Sequence, residues 1–389
     1  MKPASIRRLL LPCLFAFLLT GCWDREEVNN MALIISAGID KEKNGMVSLT
    51  FQVFIPNPSS SGGADGGGQG RLYTATNTGK TVPDALAELQ AQLPRRFSWS
   101  HAKAYFFGEA LARDGLQDEM DFLVRDIQPR EQANLFICKG TAKELIQSLQ
   151  DPNTYETLIK MSQKPSLQHS TLHIVEELIS GESGSFVIPV ATTMMLASNG
   201  TEKAIISVEG MAVIKDLKLV GFVDAPHVQG FKWLTNTQLS RFATLSVREN
   251  GGIVAIRMRH YRMKWKPRIQ DGKWKMTIRI RVDGDVLMNS THYNLMKDDD
   301  RLRKLGKRFE EEMTKQLKSA LWQAQHRFRT DAIGFAKAFH IRYPGQWRKV
   351  MNSWDQRFTQ VEVDFDVDVF IRQPGKTSIQ ATRKNEDAQ

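Results

Sequence analysis

Cysteine is scarce in this chain: three residues in 389, at positions 13, 22 and 138. That count excludes a four-cysteine zinc centre and a dense disulfide framework. Long apolar runs are missing too. Beyond the N-terminal segment, no stretch approaches the roughly 20 apolar residues of a membrane-spanning helix. Signatures of catalysis are equally absent. The glycines of residues 56–70 do not fall in a Gly-x-Gly-x-x-Gly register. Gly79-Lys80-Thr81 has the tail of a phosphate-binding loop, but the loop's first glycine would fall at Thr74. Gly181-Glu182-Ser183-Gly184-Ser185 fails as a nucleophile elbow at its last position. His169 and His173 stand four apart, yet no His-Glu-x-x-His accompanies them and the spacing supplies no third ligand. An acid–base pair cannot be picked out from 43 acidic residues. No enzyme is expected, and no catalytic residue, metal or cofactor.

The N-terminus gives the scarce cysteines their meaning. Lys2, Arg7 and Arg8 precede an apolar run over residues 9–19 that contains Pro12. The run is too short for a permanent span and reads as the core of an export leader. It ends in Leu18-Leu19-Thr20-Gly21-Cys22, and Leu-Thr-Gly-Cys resembles a bacterial lipobox. The resemblance implies cleavage before Cys22, diacylglycerol on its thiol and acylation of the new amino group. Cys22 is then the lipidation site, and the protein is expected on the outer face of a cytoplasmic-type membrane. Two or more acyl chains, at about 0.8 kcal/mol per buried methylene, anchor a protein stably. Trp23 follows the anchor and suits the headgroup level. The leader carries Cys13 away, leaving Cys138 as the free thiol. Within Asn134-Leu135-Phe136-Ile137-Cys138 it reads as a small buried residue.

The formal net charge is +10, or +7 once Lys2, Arg7 and Arg8 have left. Such a charge favours an anionic lipid surface or an acidic partner. Nucleic acid is not expected for an exported chain.

The length suffices for two or three domains with proper cores. Residues 46–55 alternate Val47, Leu49, Phe51, Val53 and Ile55 with other residues, a strand pattern, and Asn44-Gly45 suits the turn before it. Residues 57–70 are glycine- and serine-rich with nothing to bury, and are expected to be a flexible loop. Thr81 and Pro83 open a helix carrying Leu86, Leu89 and Leu93. Residues 102–107 and 135–139 read as strands. Residues 111–125 read as helices with Leu116, Met120, Leu123 and Val124 inward, and Thr141 caps another helix to Leu149. Residues 155–180 read as mostly helical. Residues 207–223 form a hairpin turning between Lys215 and Lys218, and residues 224–239 are expected to continue it. Residues 253–258, 261–266 and 276–282 follow as strands.

Leu302, Leu305, Phe309, Met313, Leu317, Leu321, Ala324 and Phe328 then advance in steps of three and four along one long helix. Asp298, Asp299 and Asp300 at its start and His326, Arg327 and Arg329 at its end suit the helix dipole. Thr330-Asp331 reads as a break and a new cap, and residues 346–357 as a helix with Trp347 and Trp354. Last, Val361, Val363, Phe365, Val367, Val369 and Ile371 alternate with Glu362, Asp364, Asp366 and Asp368. That strand has one buried and one acidic face. Carboxylates on alternate residues of one strand do not converge on a cation. Pairing with Arg257, Arg259, Arg279 and Arg281 is expected instead.

The expected fold is α+β and multidomain, with mixed sheets and packed helices. Its C-terminal domain places one long helix against an antiparallel sheet. The expected divisions are a leader over 1–21, an N-terminal α/β-type domain over 22–200 and a β-rich middle domain over 201–255. A C-terminal α+β domain over 256–375 and a polar tail over 376–389 complete the chain.

Gly21-Cys22-Trp23-Asp24-Arg25-Glu26 resembles the mature start of the Ger(x)C family, the C subunits of GerA-type spore-germination nutrient receptors. Further blocks are similar to that family, in its order. They are Arg96-Phe97-Ser98-Trp99-Ser100-His101, then Gly108-Glu109-Ala110-Leu111-Ala112-Arg113-Asp114-Gly115, Arg125-Asp126 with Arg130, and Lys139-Gly140-Thr141-Ala142. Glu209-Gly210-Met211-Ala212-Val213-Ile214-Lys215-Asp216 with Lys218-Leu219-Val220-Gly221, and Asp331-Ala332-Ile333-Gly334-Phe335 with Trp347 and Trp354, complete them. The insertion over residues 59–70 departs from the family pattern. The resemblance implies three domains, no catalytic residue and a lipoprotein subunit required for the assembly of a receptor and its response to germinants. Its implied partners are membrane lipid through Cys22 and two integral membrane subunits, A-type and B-type, in the inner membrane of spores. Whether this subunit touches the nutrient is left open. Trp99, His101, Glu109 and Arg125 are candidates for a partner surface, or for holding turns and core. An extracytoplasmic solute-binding lipoprotein of a nutrient transporter is the alternative that leader and anchor also fit.

Overall fold

The computed structural model describes residues 31–55, 71–126, 128–149, 157–158, 160–161, 170–198, 201–235, 244–291, 293–295 and 298–373. The leader, Cys22, the Gly/Ser segment 57–70, His169 and the tail 376–389 lie outside the described residues.

The first sheet grows from a hairpin. β1 (Met31–Lys41) and β2 (Val47–Ile55) pair antiparallel across a turn where Gly45 takes φ +83°. β3 (Arg71–Gly79) pairs with the far side of β2. The Thr81 hydroxyl accepts the Asp84 N–H at 3.3 Å and caps α1 (Val82–Gln92). The chain returns through β4 (Arg96–Ser98) and β5 (Ala104–Phe107), both parallel to β1. α2 (Glu109–Asp114) and α3 (Gln117–Arg125) lead to β6 (Asn134–Cys138). α4 (Ala142–Ser148) and α5 (Leu172–Ile179) precede β7 (Ser185–Ser198). β1, β5, β6 and β7 therefore run parallel, which requires crossovers, and these carry the helices. β5 and β6 are buried along their whole length, as strands covered on both faces must be. In α3 the inward stripe is Leu116, Met120 and Leu123; Val124, expected inward, falls one step off it and is 42% exposed.

β8 (Thr201–Lys215) extends the same sheet antiparallel to β7, and β9 (Lys218–Phe222) pairs antiparallel with β8. The order is β3-β2-β1-β5-β6-β7-β8-β9, with β4 beside β1. β7 and β8 pair as far as Ser198 opposite Thr201, so strands on both sides of position 200 share one sheet. Asp216 and Leu217, at φ +47° and +62°, make the tight turn into β9.

The strand continuation expected over residues 224–239 does not form over 224–235, and residues 236–239 lie outside the described residues. Residues 225–235 are a helix, α6 (Ala225–Thr235). Pro226 fits a first turn, where its missing N–H has no partner to lose, and Phe231 and Leu234 bury at helical spacing.

The second sheet is β10 (Thr244–Glu249), β11 (Gly252–Gln270), β12 (Lys273–Asn289) and β13 (Glu362–Gln373), in that order. The first three are antiparallel, and β13 joins β12 in parallel. α7 (Asp299–Trp322) lays Leu305, Phe309, Met313 and Leu317 on the core shared with Met276, Ile278, Ile280 and Val282. A wider π turn over 323–328 prolongs it and brings Gln325 inward, where Nε2 donates to the carbonyls of Phe358 and Val361, both at 2.9 Å. α8 (Phe335–Arg342), α9 (Pro344–Val350) and α10 (Trp354–Phe358) close an aromatic cluster of Trp274, Phe339, Trp347 and Trp354. The architecture is α+β, two sheets with packed helices.

Candidate functional site

The four residues singled out in the first domain do not form one surface. Trp99 is core, 1% exposed, with its ring edge-on to Phe51 at 4.9 Å and to Phe122 at 5.8 Å. His101 ends the same short turn, half-buried. Burial first, then the charges of Lys103 and Arg130, hold its pKa below the usual imidazole value. Glu109 lies at the opposite end of β5, where it opens α2 and accepts from Arg113 Nη2 at 2.7 Å. Its N–H donates to the Gly140 carbonyl at 2.9 Å, a joint between two crossovers. Arg125 is exposed at the end of α3 and grips Asp121 bidentately at 2.6 and 3.0 Å.

Trp99 and Arg125 are nonetheless linked through Phe122. That ring stands between Trp99 and a cavity of about 440 Å³ that separates the start of α1 from α3. Lys80, Thr81 and Pro83 line one side, and Glu119, Phe122 and Arg125 the other. Glu119 is 4% exposed. Burial pushes its pKa above the usual glutamate range, and the charges of Asp118 and Asp114 add to this, while its own backbone N–H pulls it back. Asp118, Asp121 and Asp126 also line the cavity, so carboxylates outnumber Lys80 and Arg125. The cavity favours a small cationic or hydrogen-bond-donating group over an anion. Glu119 carried a sequence signal that the reading above missed: it stands three after Leu116 and four before Leu123, on the apolar face of α3. The docking of α1 beside α3 has no such signal, because it depends on the sheet order.

At the C-terminal ends of the parallel strands, open α/β sheets commonly bind ligands. Here internal bonds occupy that edge. Asp40, 4% exposed, accepts the N–H groups of Ala142 and Lys143, both at 2.8 Å, and so caps α4 from another strand. A Cβ on Gly108 would fall 2.0 Å from Asp40 Oδ1, so the close approach requires glycine.

Three of the four carboxylates on the acidic face of β13 are ion-paired. Glu362 meets Lys275 at 2.8 Å, Asp366 meets Arg279 at 2.5 Å and Asp368 meets Arg281 at 3.2 Å. Arg259 finds Asp285 on β12 instead, at 2.5 Å. Cys138 is buried, and burial raises its thiol pKa far from reactive values. Among the described residues, no three His, Cys, Asp or Glu come together as a metal-binding group. No helix among them is long and apolar enough to cross a membrane.

Comparison with known proteins gives matches along most of the chain. The family model for the spore germination protein N-terminal domain matches residues 24–193. The model described as spore germination B3/GerAC like, C-terminal, matches residues 209–375. Three Bacillus subtilis (strain 168) proteins are similar over nearly their whole length. YfkR is 25% identical, covering 95% of this chain and 97% of its own. Spore germination protein B3 is 24% identical, covering 94% and 97%. Spore germination protein A3 is 23% identical, covering 95% and 98%. The crystal structure of the GerBC protein superposes with a TM-score of 0.57 at 20% identity, over 86% of this chain and 96% of that one, which is a likeness of fold.

Proposed function

The chain belongs to the GerAC-like family of spore-germination proteins, and from that premise we propose that it is the lipid-anchored, non-enzymatic subunit of a spore-germination nutrient receptor, required for assembly and for the response to germinants. The observation that carries this is the pair of family matches in series, which spans both sheets. The leader and Cys22 supply an independent reason for membrane attachment. Residues 23–30 separate Cys22 from β1. However they are arranged, eight residues reach at most about 28 Å, so acyl chains on Cys22 would keep the first sheet near the bilayer. Confinement of this kind raises the effective concentration of the subunit beside A-type and B-type integral membrane partners without any new contact.

The test is a pull-down of the full-length protein from spore membranes, wild type against Cys22→Ala, with mass spectrometry of the recovered proteins. Two polytopic membrane proteins are expected with wild type and few or none with Cys22→Ala. A transporter permease and ATPase in their place would instead identify a solute-binding lipoprotein. The cavity beside Glu119 is the observation on that side, and solute-dependent thermal stabilisation of the isolated chain is its measurement. Arg125→Glu reverses the one candidate that is exposed on this face and leaves the core untouched. Loss of the two partners with an unchanged melting temperature places docking there.

A further inference from the structure

The solvent face of the second sheet carries its charge by strand. Outward residues of β13 are Glu362, Asp364, Asp366 and Asp368. Those of β12 are Lys275, Thr277, Arg279 and Arg281, whose three cations are paired to β13 at 2.5–3.2 Å. Outward residues of β11 are Arg262, Lys264, Lys266 and Arg268, all exposed, while Met263, Trp265 and Ile269 pack toward the core. The register sets Arg262 opposite Arg281, Lys264 opposite Arg279, Lys266 opposite Thr277 and Arg268 opposite Lys275. Among the described residues none of these four β11 cations makes an ion pair, whereas Arg259 and His260, just before them, face Asp285 and Asp283. β12 takes the carboxylates of β13, and β11 is left with a row of unneutralised cations.

Three like-charge pairs across strands cost stability. Edge protection does not explain them. Beyond Arg257, β11 has no strand on its outer side among the described residues, and charge on an open edge discourages unwanted strand pairing. Carboxylates would serve that purpose equally and would pair with β12 as well. Cations beside cations suit an anionic partner. No aromatic or apolar side chain stands among the four, and the next outward residue is Gln270. Protein interfaces centre on buried aromatic and apolar anchors, and this row offers none. Outward residues on a strand lie about 6.7 Å apart, so the four spread over about 20 Å in a line. A line of separate cations with no pocket matches many mobile anions better than one rigid ligand. An arginine at each end supplies the fork that grips phosphate oxygens in pairs.

We propose that the β11 face, Arg262, Lys264, Lys266 and Arg268, rests on an anionic phospholipid surface and binds headgroup phosphates. This contact orients the second sheet, whereas an acyl anchor tethers only the N-terminus, and it does not depend on the anchor. The test therefore uses the chain from Trp23 onward, which carries neither the apolar leader nor the acyl anchor, sedimented with vesicles of phosphatidylcholine alone or mixed with phosphatidylglycerol. Binding is expected to the mixed vesicles only, and to fall with added salt. A lysine or arginine near an anionic surface contributes about a five-fold change in partition, so R262Q/K264Q/K266Q/R268Q is expected to bind roughly several hundred-fold more weakly. The control K304Q/K307Q/K315Q/K318Q removes the same charge from the solvent face of α7, on the other side of the sheet, and is expected to keep most of the binding. The β11 variant is expected to melt no lower than its parent, because it removes three like-charge pairs. Equal binding by the β11 variant and its parent overturns the proposal. So does equal loss in the α7 control, or equal binding to neutral vesicles. Capture of an acidic protein by this face without vesicle binding overturns it too. A pull-down that returned the wrong partners would overturn the receptor reading and leave these outcomes unchanged, since no partner subunit is present.

Discussion

Asp331 joins three parts of the C-terminal unit, and its replacement by asparagine tests that joint. The residue is fully buried. Its Oδ1 accepts the N–H groups of Gly334 at 2.8 Å and Phe335 at 3.0 Å. Its Oδ2 accepts the Ala336 N–H at 2.6 Å and Trp354 Nε1–H at 2.9 Å. The carboxylate thus caps α8 and ties it to α10, and Gly334 takes φ +103° to bring its N–H into line. Burial lifts the Asp331 pKa above the usual carboxylate range and the four hydrogen bonds oppose that. All four partners are donors, so the geometry accommodates the ionised form. An asparagine amide matches only half of this set. In either orientation its NH2 faces two N–H donors and leaves them buried and unpaired. At about 1–3 kcal/mol for each, Asp331→Asn is expected to cost about 2–6 kcal/mol, a large share of a typical 5–15 kcal/mol. The assay is urea unfolding followed by circular dichroism. Trp354→Phe removes one of the four donors while keeping an aromatic ring, and is expected to cost less than Asp331→Asn. A loss below about 0.5 kcal/mol in Asp331→Asn would refute the four-donor account.

Three further outcomes follow from the same geometry. Phe309→Ala empties a fully buried site between α7 and β12 and is expected to cost about 3–5 kcal/mol in urea unfolding; a loss under about 1 kcal/mol would mean that α7 is not packed there. Gly230→Ala places a Cβ 2.4 Å from the Gln316 carbonyl oxygen, so α6 must move off α7, with an expected loss of about 1–3 kcal/mol and a melting temperature lowered to match. The raised pKa of Glu119 gives a pH test. Stability from its bound proton is whole below the ordinary glutamate pKa and is lost as pH rises through the raised folded value. Glu119→Gln cannot lose a proton, so it is expected to melt higher than wild type at about pH 7 and alike at about pH 3.5. Parallel melting curves across that window would show that Glu119 is not buried as described.

Periodicity made the second unit legible. The stripe from Leu302 to Phe328 is a single helix face, and the alternation from Val361 to Ile371 is a half-buried strand. The cap at Asp331 was legible as well, because a polar residue after a helix end and before an apolar run has few other roles. Its second bond, to Trp354, was not, since 23 residues separate them. The direction of β13 was also hidden: the pattern of one strand does not tell a parallel from an antiparallel neighbour. β7 was passed over, because Ser185-Phe186-Val187-Ile188-Pro189-Val190 has no alternation and contains a proline; its inner end is covered on both faces and Pro189 sits at a register shift. Residues 224–239 misled for a related reason. Short apolar clusters such as Phe231, Trp233 and Leu234 fit either period. The candidate site was the least legible part. Trp99 and Arg125 stood in separate blocks, and only the docking of α3 on the sheet links them, through Phe122.

The joint between the two sheets bears on the choice between a solute-capturing receptor and an assembly subunit. Capture by two lobes works through a hinge that opens and closes. Here Val213 of β8 and Val223 after β9 belong to the same apolar cluster as β12 and α7. Phe328, at the end of the long helix, sits so close to β9 that a Cβ on Gly221 would lie 3.1 Å from its ring. The Ser185 and Thr330 hydroxyls are 2.6 Å apart and buried, Thr330 also donates to Asp355 Oδ1 at 3.2 Å, and Lys215 reaches Asp355 at 2.9 Å. Opening this joint would expose two buried valines, at about 1.5–3 kcal/mol each. It would also exchange the Ser185–Thr330 and Thr330–Asp355 hydrogen bonds for bonds to water, at a net cost of about 0.5–1.5 kcal/mol each. The sum exceeds the few kcal/mol that separate populated conformers of a hinged protein. The two sheets therefore move as one body. On the proposed receptor reading, a push on the first sheet would carry α7 and β11 with it, whereas closure around a solute would need the joint to give.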